Sequence, residues 1–154
     1  MEFAEITAKI KVGDIEVFEL IAADIDWYHN NCKTPHTEKL LSVRDHLATL
    51  SYNLAFIAAD FKSNYNSKYY IRKIETSKQK QGFINSGRSV AASETDSVVG
   101  AAHHLKAELE AEAASYKVDL LLKQVNKILE AMNQRIAFAR AEEINQRNQN
   151  NIQH

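Results

Sequence analysis

The chain contains only one proline and four glycines in 154 residues. Proline and glycine are the residues that most strongly interrupt regular structure, so this sequence has few points at which a helix must end. Ala, Leu, Glu, Lys and Gln fill the long uninterrupted segments, and all five favour the α-helix. The length suits one domain with its own core. We therefore predict an all-α protein, an elongated helical bundle formed by a single domain over residues 1–154.

The spacing of apolar residues places the first helices in an acidic segment, residues 1–61. Asp14 is a candidate N-cap for a helix that runs to about Asn30. Thr34-Pro35 predicts the start of a second helix, because proline is well tolerated at the first helical position. The apolar face of that helix is Leu40, Val43, Leu47, Leu50, Leu54, Ile57 and Phe61. We expect this helix to end near residue 78, and the turn signals at Gln81-Gly82 and Asn85-Ser86-Gly87 predict a mobile loop through Ser93.

The clearest predicted element is a long C-terminal helix over residues 94–145, followed by a frayed, Asn/Gln-rich tail over residues 146–154. Six apolar positions repeat in this helix at spacings of four and three, namely Val118, Leu122, Val125, Leu129, Met132 and Ile136. This a/d pattern suits the core of an intramolecular bundle and also a coiled coil between copies. A helix of about 50 residues spans about 75 Å, which is long for a monomer of this size. We therefore predict a homo-oligomer with these six residues at its interface.

Charge is segregated along a chain whose net charge is only -1. Residues 62–88, which we call the basic tract, carry seven basic residues and one acidic residue, whereas residues 1–61 carry -5 and residues 89–154 carry -2. Aromatic residues are interleaved with the cations of the tract. Such a surface can neutralise phosphates and stack bases, as single-stranded nucleic acid requires. A solvated basic helix end has the same composition.

No pattern in the sequence indicates catalysis or a cofactor. The nucleophile elbow, the glycine-rich phosphate loop and the H-E-x-x-H motif are all missing. His29, Cys32 and His36 are of the types that zinc prefers, but their spacing does not fit a zinc finger. His103-His104 lies near several glutamates, yet the chain contains no Glu-x-x-His pair of the di-iron type. We predict neither an enzyme nor a metal site.

The location of the protein is predicted from what the sequence lacks. A lone cysteine, Cys32, suits a reducing compartment. No signal-sequence pattern opens the chain, and no apolar run approaches the roughly 20 residues of a membrane span. We expect a cytoplasmic protein that does not contact membranes.

The end of the basic tract carries a family resemblance. Lys78 and Lys80 are followed by Phe83 and then by Ser86-Gly87-Arg88. This order of a basic pair, an aromatic residue and Ser-Gly-Arg resembles the DNA-binding stretch of the UvsY-like recombination mediators of T-even phages. An acidic, alanine-rich segment and a long amphipathic helix then follow, so the resemblance extends over roughly residues 62–145. The family motif reads Lys-Ala-Arg-Leu where this chain has Lys-Gln-Lys-Gln, and lysine lacks the planar fork of arginine.

The resemblance implies a non-enzymatic accessory protein of homologous recombination. Such mediators form homo-oligomers, bind single-stranded DNA and help a RecA-type recombinase displace a single-strand-binding protein. The residues that would bind DNA are then Lys68, Tyr69, Tyr70, Arg72, Lys73, Lys78, Lys80, Phe83 and Arg88. Repetition of a modest tract in an oligomer would strengthen binding by avidity.

Two other classes of protein fit the same residues. One is a helical structural or interaction protein, such as a phage virion or assembly component. The other is a small helical regulator of a protein partner. In both, the basic tract is solvated or meets an acidic protein, and nucleic acid is not bound.

Overall fold

A computed structural model describes residues 12–31 and 37–152, which form four helices and no strand within these ranges. The helices are α1 (Val12–Asn31), α2 (Thr37–Asn85), α3 (Val90–Gly100) and α4 (Ala102–Ile152). The predicted all-α class is therefore confirmed. The described residues divide into two compact units, the first from residues 12–31, 37–56 and 120–152 and the second from residues 57–119. None of the described helices is long and apolar enough to cross a membrane.

The core of the first unit follows the apolar spacing of the sequence. Phe18 and Ile21 of α1 are buried, as are Leu40, Val43, Leu47, Leu50 and Leu54 of α2. The predicted apolar face of α2 is thus buried from Leu40 to Ile57, which is 7% exposed, whereas its last member, Phe61, is half-buried. The Asp24 carboxylate lies 2.7 Å from Nδ1 of His46 and joins α1 to α2 at the surface. The predicted helix start at Thr34-Pro35 lies outside the described residues.

The basic tract is helical almost to its end, so the predicted mobile loop from residue 79 to Ser93 is wrong. Helix α2 continues to Asn85, because Gly82 is tolerated inside it and the first residue that requires a left-handed backbone is Gly87, with φ 89°. The Arg88 N–H donates to the Phe83 carbonyl (3.2 Å) and the Gly87 N–H to the Ile84 carbonyl (3.0 Å). These two bonds form a Schellman C-cap. The Ser-Gly-Arg sequence is therefore a compact helix end.

Helix α3 begins directly after this turn. The Ser89 side chain is its N-cap and accepts a hydrogen bond from the Ala92 N–H at 3.3 Å. The helix ends at Gly100, and Ala101 separates it from α4. The single helix predicted to start at residue 94 is therefore wrong in two respects: helical structure begins at Val90, and it is interrupted at Ala101.

The C-terminal helix is longer than predicted, because α4 continues through residues 146–152 in place of a frayed tail. Four of the six residues assigned to an oligomer interface, Val118, Val125, Met132 and Ile136, are at most 5% exposed within a single chain. Leu122 and Leu129 are half-buried. Since the chain itself covers the four buried side chains, they offer no surface to a second copy. The apolar repeat belongs to the protein's own core, which corrects the assignment.

In the second unit, the end of α2 packs antiparallel against α3 and the start of α4. Lys80 contacts Glu94 near the turn, and Arg72 contacts Glu108 further along. This register places the acidic segment that follows the turn beside the basic tract. It therefore determines which cations of the tract have protein partners.

Candidate nucleic-acid interface

Four residues of α2 form a row on one face of the second unit, with two tyrosine rings between two lysines. We call this row the cation–tyrosine ladder; it consists of Lys62, Tyr65, Tyr69 and Lys73. Spacings of three, four and four residues place all four side chains on the same side of the helix. The two lysines are exposed and the two tyrosines are half-buried.

The ladder is connected by ring contacts along its whole length. Nζ of Lys62 lies 4.8 Å from the ring centroid of Tyr65, and Nζ of Lys73 lies 4.7 Å from that of Tyr69. The two tyrosine rings are 6.5 Å apart between centroids. Each cation–π contact at an exposed site stabilises the arrangement by about 0.5–1 kcal/mol. The rings are therefore held in place while both ammonium groups keep contact with solvent.

A shallow depression of about 480 Å³ adjoins the first half of the ladder. Lys62 and Tyr65 line it from α2, and Tyr116 lines it from α4 together with two acidic residues, Glu112 and Asp119. Partial burial raises the pKa of the Tyr65 hydroxyl, and the nearby Glu112 and Glu108 carboxylates raise it further. Tyr65 therefore stays a neutral donor at physiological pH. The depression can accept a flat apolar ring, but its acidic wall disfavours a phosphate inside it.

The remaining cations of the tract differ from the ladder, because several are paired with carboxylates. Lys80 Nζ lies 2.6 Å from the Glu94 carboxylate, and Lys78 Nζ lies 2.8 Å from that of Glu75. These hydrogen bonds lower the pKa of both carboxyl groups. Arg88 forms an ion pair with Asp96. A phosphate that used these three cations would have to displace a carboxylate from each.

Arg72 has a structural partner. Its guanidinium donates through Nε to one oxygen of Glu108 and through Nη2 to the other at 3.4 Å. The hydrogen bond to Glu108 is the largest cause of a raised pKa of Arg72. Glu108 is only 7% exposed, so the guanidinium provides hydrogen bonds to a carboxylate that has little contact with solvent. Arg72 therefore holds α2 and α4 together.

The other predicted residues lie around the ladder. Lys68 is half-buried, and Tyr70 is 62% exposed with its ring 5.4 Å from that of Tyr69. Phe83 is half-buried beneath the guanidinium of Arg88, whose carbon lies 5.0 Å from the ring centroid. Phe83 is therefore occupied by Arg88 at the helix end and is less available to a base than Tyr69 or Tyr70.

The set of site residues predicted from the sequence lacks Lys62 and Tyr65. Helical spacing contained the signal, because both residues lie on the face that Tyr69 and Lys73 define. The prediction treated the tract as a loop beyond residue 78, and the family resemblance drew attention to Lys78–Arg88. The structure instead brings together the solvent-accessible cations and rings in the first half of the tract.

The histidines and Cys32 do not form a described metal centre. His29 is exposed, and Cys32 and His36 lie outside the described residues. The rings of His103 and His104 lie 3.8 Å apart between centroids. In the part of the chain that the structure describes, no three His, Cys, Asp or Glu residues are grouped so that they could hold a metal ion.

Comparison of the chain with protein-family models, with curated proteins and with solved structures found no match. The function of this protein is therefore inferred from the residues of its own chain and from the resemblance of its basic tract.

Proposed function

We propose that this protein is a non-enzymatic accessory protein that binds single-stranded DNA. Its resemblance to phage recombination mediators suggests that it helps a RecA-type recombinase displace a single-strand-binding protein from DNA. In this proposal the bound strand runs along α2. The cation–tyrosine ladder is the observation that carries the proposal.

The chemistry of the ladder matches what an unpaired strand presents. A single strand alternates charged phosphates with exposed base faces, and proteins bind it with cations beside aromatic platforms. Lys62 and Lys73 contact phosphates in this arrangement, while Tyr65 and Tyr69 stack on bases. Stacking of one base on an aromatic side chain stabilises such complexes by about 1–3 kcal/mol.

Lys68 and Tyr70 extend the ladder in the same segment of α2. Lys78, Lys80 and Arg88 act differently, because their carboxylate partners compete with phosphate. These three cations contribute to DNA binding only when phosphate replaces Glu75, Glu94 or Asp96. The proposal therefore places most of the affinity in the first half of the tract and a smaller part at the helix end.

Binding of fluorescein-labelled oligo-dT, followed by fluorescence anisotropy at low salt, tests this proposal. The double variant Lys62→Ala/Lys73→Ala should lose at least tenfold in affinity. The double variant Lys106→Ala/Lys127→Ala is the matched control, since it removes the same charge from exposed positions of α4 and should lose much less. Equal losses in the two variants would mean that only net charge matters, and the ladder assignment would fail.

The aromatic half of the ladder has its own test. Tyr65→Leu and Tyr69→Leu keep an apolar side chain but remove the stacking surface, so each should weaken binding by about 1 kcal/mol or more. Tyr52→Leu is the control, because Tyr52 is 66% exposed on α2 but belongs to the first unit. If Tyr52→Leu weakens binding as much as the ladder substitutions do, the bases do not stack where we propose.

A second candidate function is a helical interaction protein that does not bind nucleic acid. The observation that favours it is the charge balance of the second unit. Residues 57–119 contain nine basic and eight acidic residues, so the net charge of this unit is only +1. The acidic segment therefore compensates the basic tract within the fold. A complete lack of oligo-dT binding at low salt would favour this candidate over the mediator.

A further inference from the structure

The part of α4 in the second unit exposes large apolar side chains on one side, although polar residues are among those it buries. Glu108 and Ser115 are buried, whereas Leu109 is 54% exposed and Tyr116 is 67% exposed. Ala111 and Val118 are buried on the inner side, as is usual for a helix against a core, so Leu109 and Tyr116 belong to a second apolar stripe. The outward side is therefore a face that the second unit itself does not cover.

The outward residues form a continuous stripe along α4. We call it the outer stripe; it consists of Ala102, Leu105, Leu109, Ala113 and Tyr116. All five are exposed, and their spacings of three, four, four and three keep them on one side of the helix. Contiguous exposed apolar surface of this kind marks an interaction site more often than isolated apolar residues do.

The stripe is symmetric about Leu109. Leu105 and Ala113 each lie four residues from it, and Ala102 and Tyr116 each lie seven residues from it. When two copies of this helix pair antiparallel about a two-fold axis at Leu109, residues at equal distances on opposite sides face each other. Leu105 then faces the Ala113 position, and Ala102 faces the Tyr116 position. Leu105 and Tyr116 thus each meet an alanine, while Leu109 meets Leu109 of the other copy at the axis.

The matching of large with small side chains indicates which molecule covers the outer stripe. A two-fold interface must be self-complementary, since the same patch serves both copies. Large residues opposite small ones allow helices to approach closely without voids. We propose that the outer stripe binds the outer stripe of a second copy of this chain in an antiparallel, two-fold pair. The ladder lies on α2, but Tyr116 also lines the depression beside Lys62 and Tyr65, so the pairing and the proposed DNA binding are tested by separate measurements.

The pair is expected to be weak. The stripe extends over 15 residues, which corresponds to roughly 21 Å of helix. An interface of this length is smaller than that of most permanent dimers. Dimerisation should therefore depend on protein concentration in the micromolar range, and its measurement must cover that range.

Sedimentation velocity of the full chain without DNA, from low micromolar to several hundred micromolar concentration, tests the proposal. The wild-type protein should shift from monomer towards dimer, and Leu109→Asp should raise the midpoint concentration at least tenfold. Ile74→Asp is the matched control, because Ile74 on α2 is 53% exposed and lies off the stripe. Circular dichroism of both variants should match the wild type. A wild-type protein that stays monomeric, or equal effects of the two variants, would overturn the proposal.

Cysteine cross-linking tests the antiparallel register. In a Cys32→Ser background, Leu109→Cys should form a disulfide dimer under mild oxidation because it lies at the two-fold axis. Ala113→Cys should cross-link with Leu105→Cys in a mixture but not with itself. A parallel pair would instead cross-link Ala113→Cys with itself, and this result would overturn the proposed geometry. Oligo-dT binding is not part of either readout, so the pairing and the proposed function can fail separately.

Discussion

Lys80 Nζ lies 2.6 Å from the carboxylate of Glu94, so the last turns of α2 are joined to the first turns of α3. Contacts of this kind determine which cations of the basic tract have carboxylate partners. Cations that are adjacent in sequence have different neighbours once the chain turns back at Gly87. Lys62 and Lys73 lie beside tyrosine rings, whereas Lys78 and Lys80 lie beside carboxylates.

Removal of a competing carboxylate should strengthen DNA binding. In Glu94→Gln, Lys80 loses its charged partner and becomes available to phosphate. Exposed ion pairs are weak, so the oligo-dT affinity should rise only about two- to fivefold. Anisotropy titration measures the change. Glu130→Gln is the control, because Glu130 is exposed on α4 in the first unit and makes the same change in net charge. Equal gains in the two variants would contradict a local release of Lys80.

The same contact predicts how the Glu94 carboxyl titrates. The hydrogen bond from Lys80 lowers the pKa of Glu94, so the stabilisation is present above the unfolded-state pKa and is lost as the pH falls through the folded-state pKa. In Lys80→Met the pKa of Glu94 should rise towards its ordinary value, while the pKa of Glu75, lowered by Lys78, should stay low. NMR titration of the carboxyl carbons checks both. An unchanged Glu94 pKa in Lys80→Met would show that the pair does not exist in solution.

The Arg72–Glu108 ion pair should matter more for stability than for DNA binding. Arg72→Met leaves the buried Glu108 carboxylate without its partner, which should lower the free energy of unfolding by about 3 kcal/mol. Replacing both residues, as Arg72→Met/Glu108→Leu, should recover most of this loss because no charge remains buried. Urea unfolding of the two single variants and the double variant measures the coupling. Additive losses in the double variant would mean that the two side chains act independently.

Alanine substitution of the two glycines near the end of α2 should change the stability of the protein in opposite directions. Gly87 has φ 89°, so Gly87→Ala should destabilise the protein by about 1–2 kcal/mol. Gly82 lies within α2, and a Cβ there would meet no atom within 4 Å, so Gly82→Ala should stabilise by about 0.5–1 kcal/mol. Thermal unfolding compares them. Stabilisation by Gly87→Ala would contradict the Schellman cap.

The spacing of apolar residues predicted those features of the fold that lie within a single helix. The buried face of α2 from Leu40 to Ile57 follows directly from apolar residues at intervals of three and four. The predicted loop after residue 78 was wrong because a glycine inside a helix, such as Gly82, costs only about 1 kcal/mol, which the rest of the helix can offset. Gly87 ends the helix because its backbone is left-handed.

The candidate site was predictable only in part, because some of its features depend on contacts between helices. The face that carries Lys62 and Tyr65 could be drawn from helical spacing alone. The partners of the cations could not, because Arg72 and Glu108 are 36 residues apart and meet only in the register of the antiparallel helices. The exposure of the outer stripe was hidden for the same reason, since the sequence shows two apolar stripes on α4 without showing which one is covered.

The salt dependence of oligo-dT binding tests the central claim most directly. The logarithm of the association constant should fall linearly with the logarithm of salt concentration, because phosphate contacts release counterions. In Lys62→Ala/Lys73→Ala the magnitude of the slope should decrease by about 1.4, which is about 0.7 for each lost phosphate contact on a single strand. A wild-type protein that does not bind at low salt, or a slope that the double variant leaves unchanged, would contradict the assignment of the ladder as the DNA-binding surface.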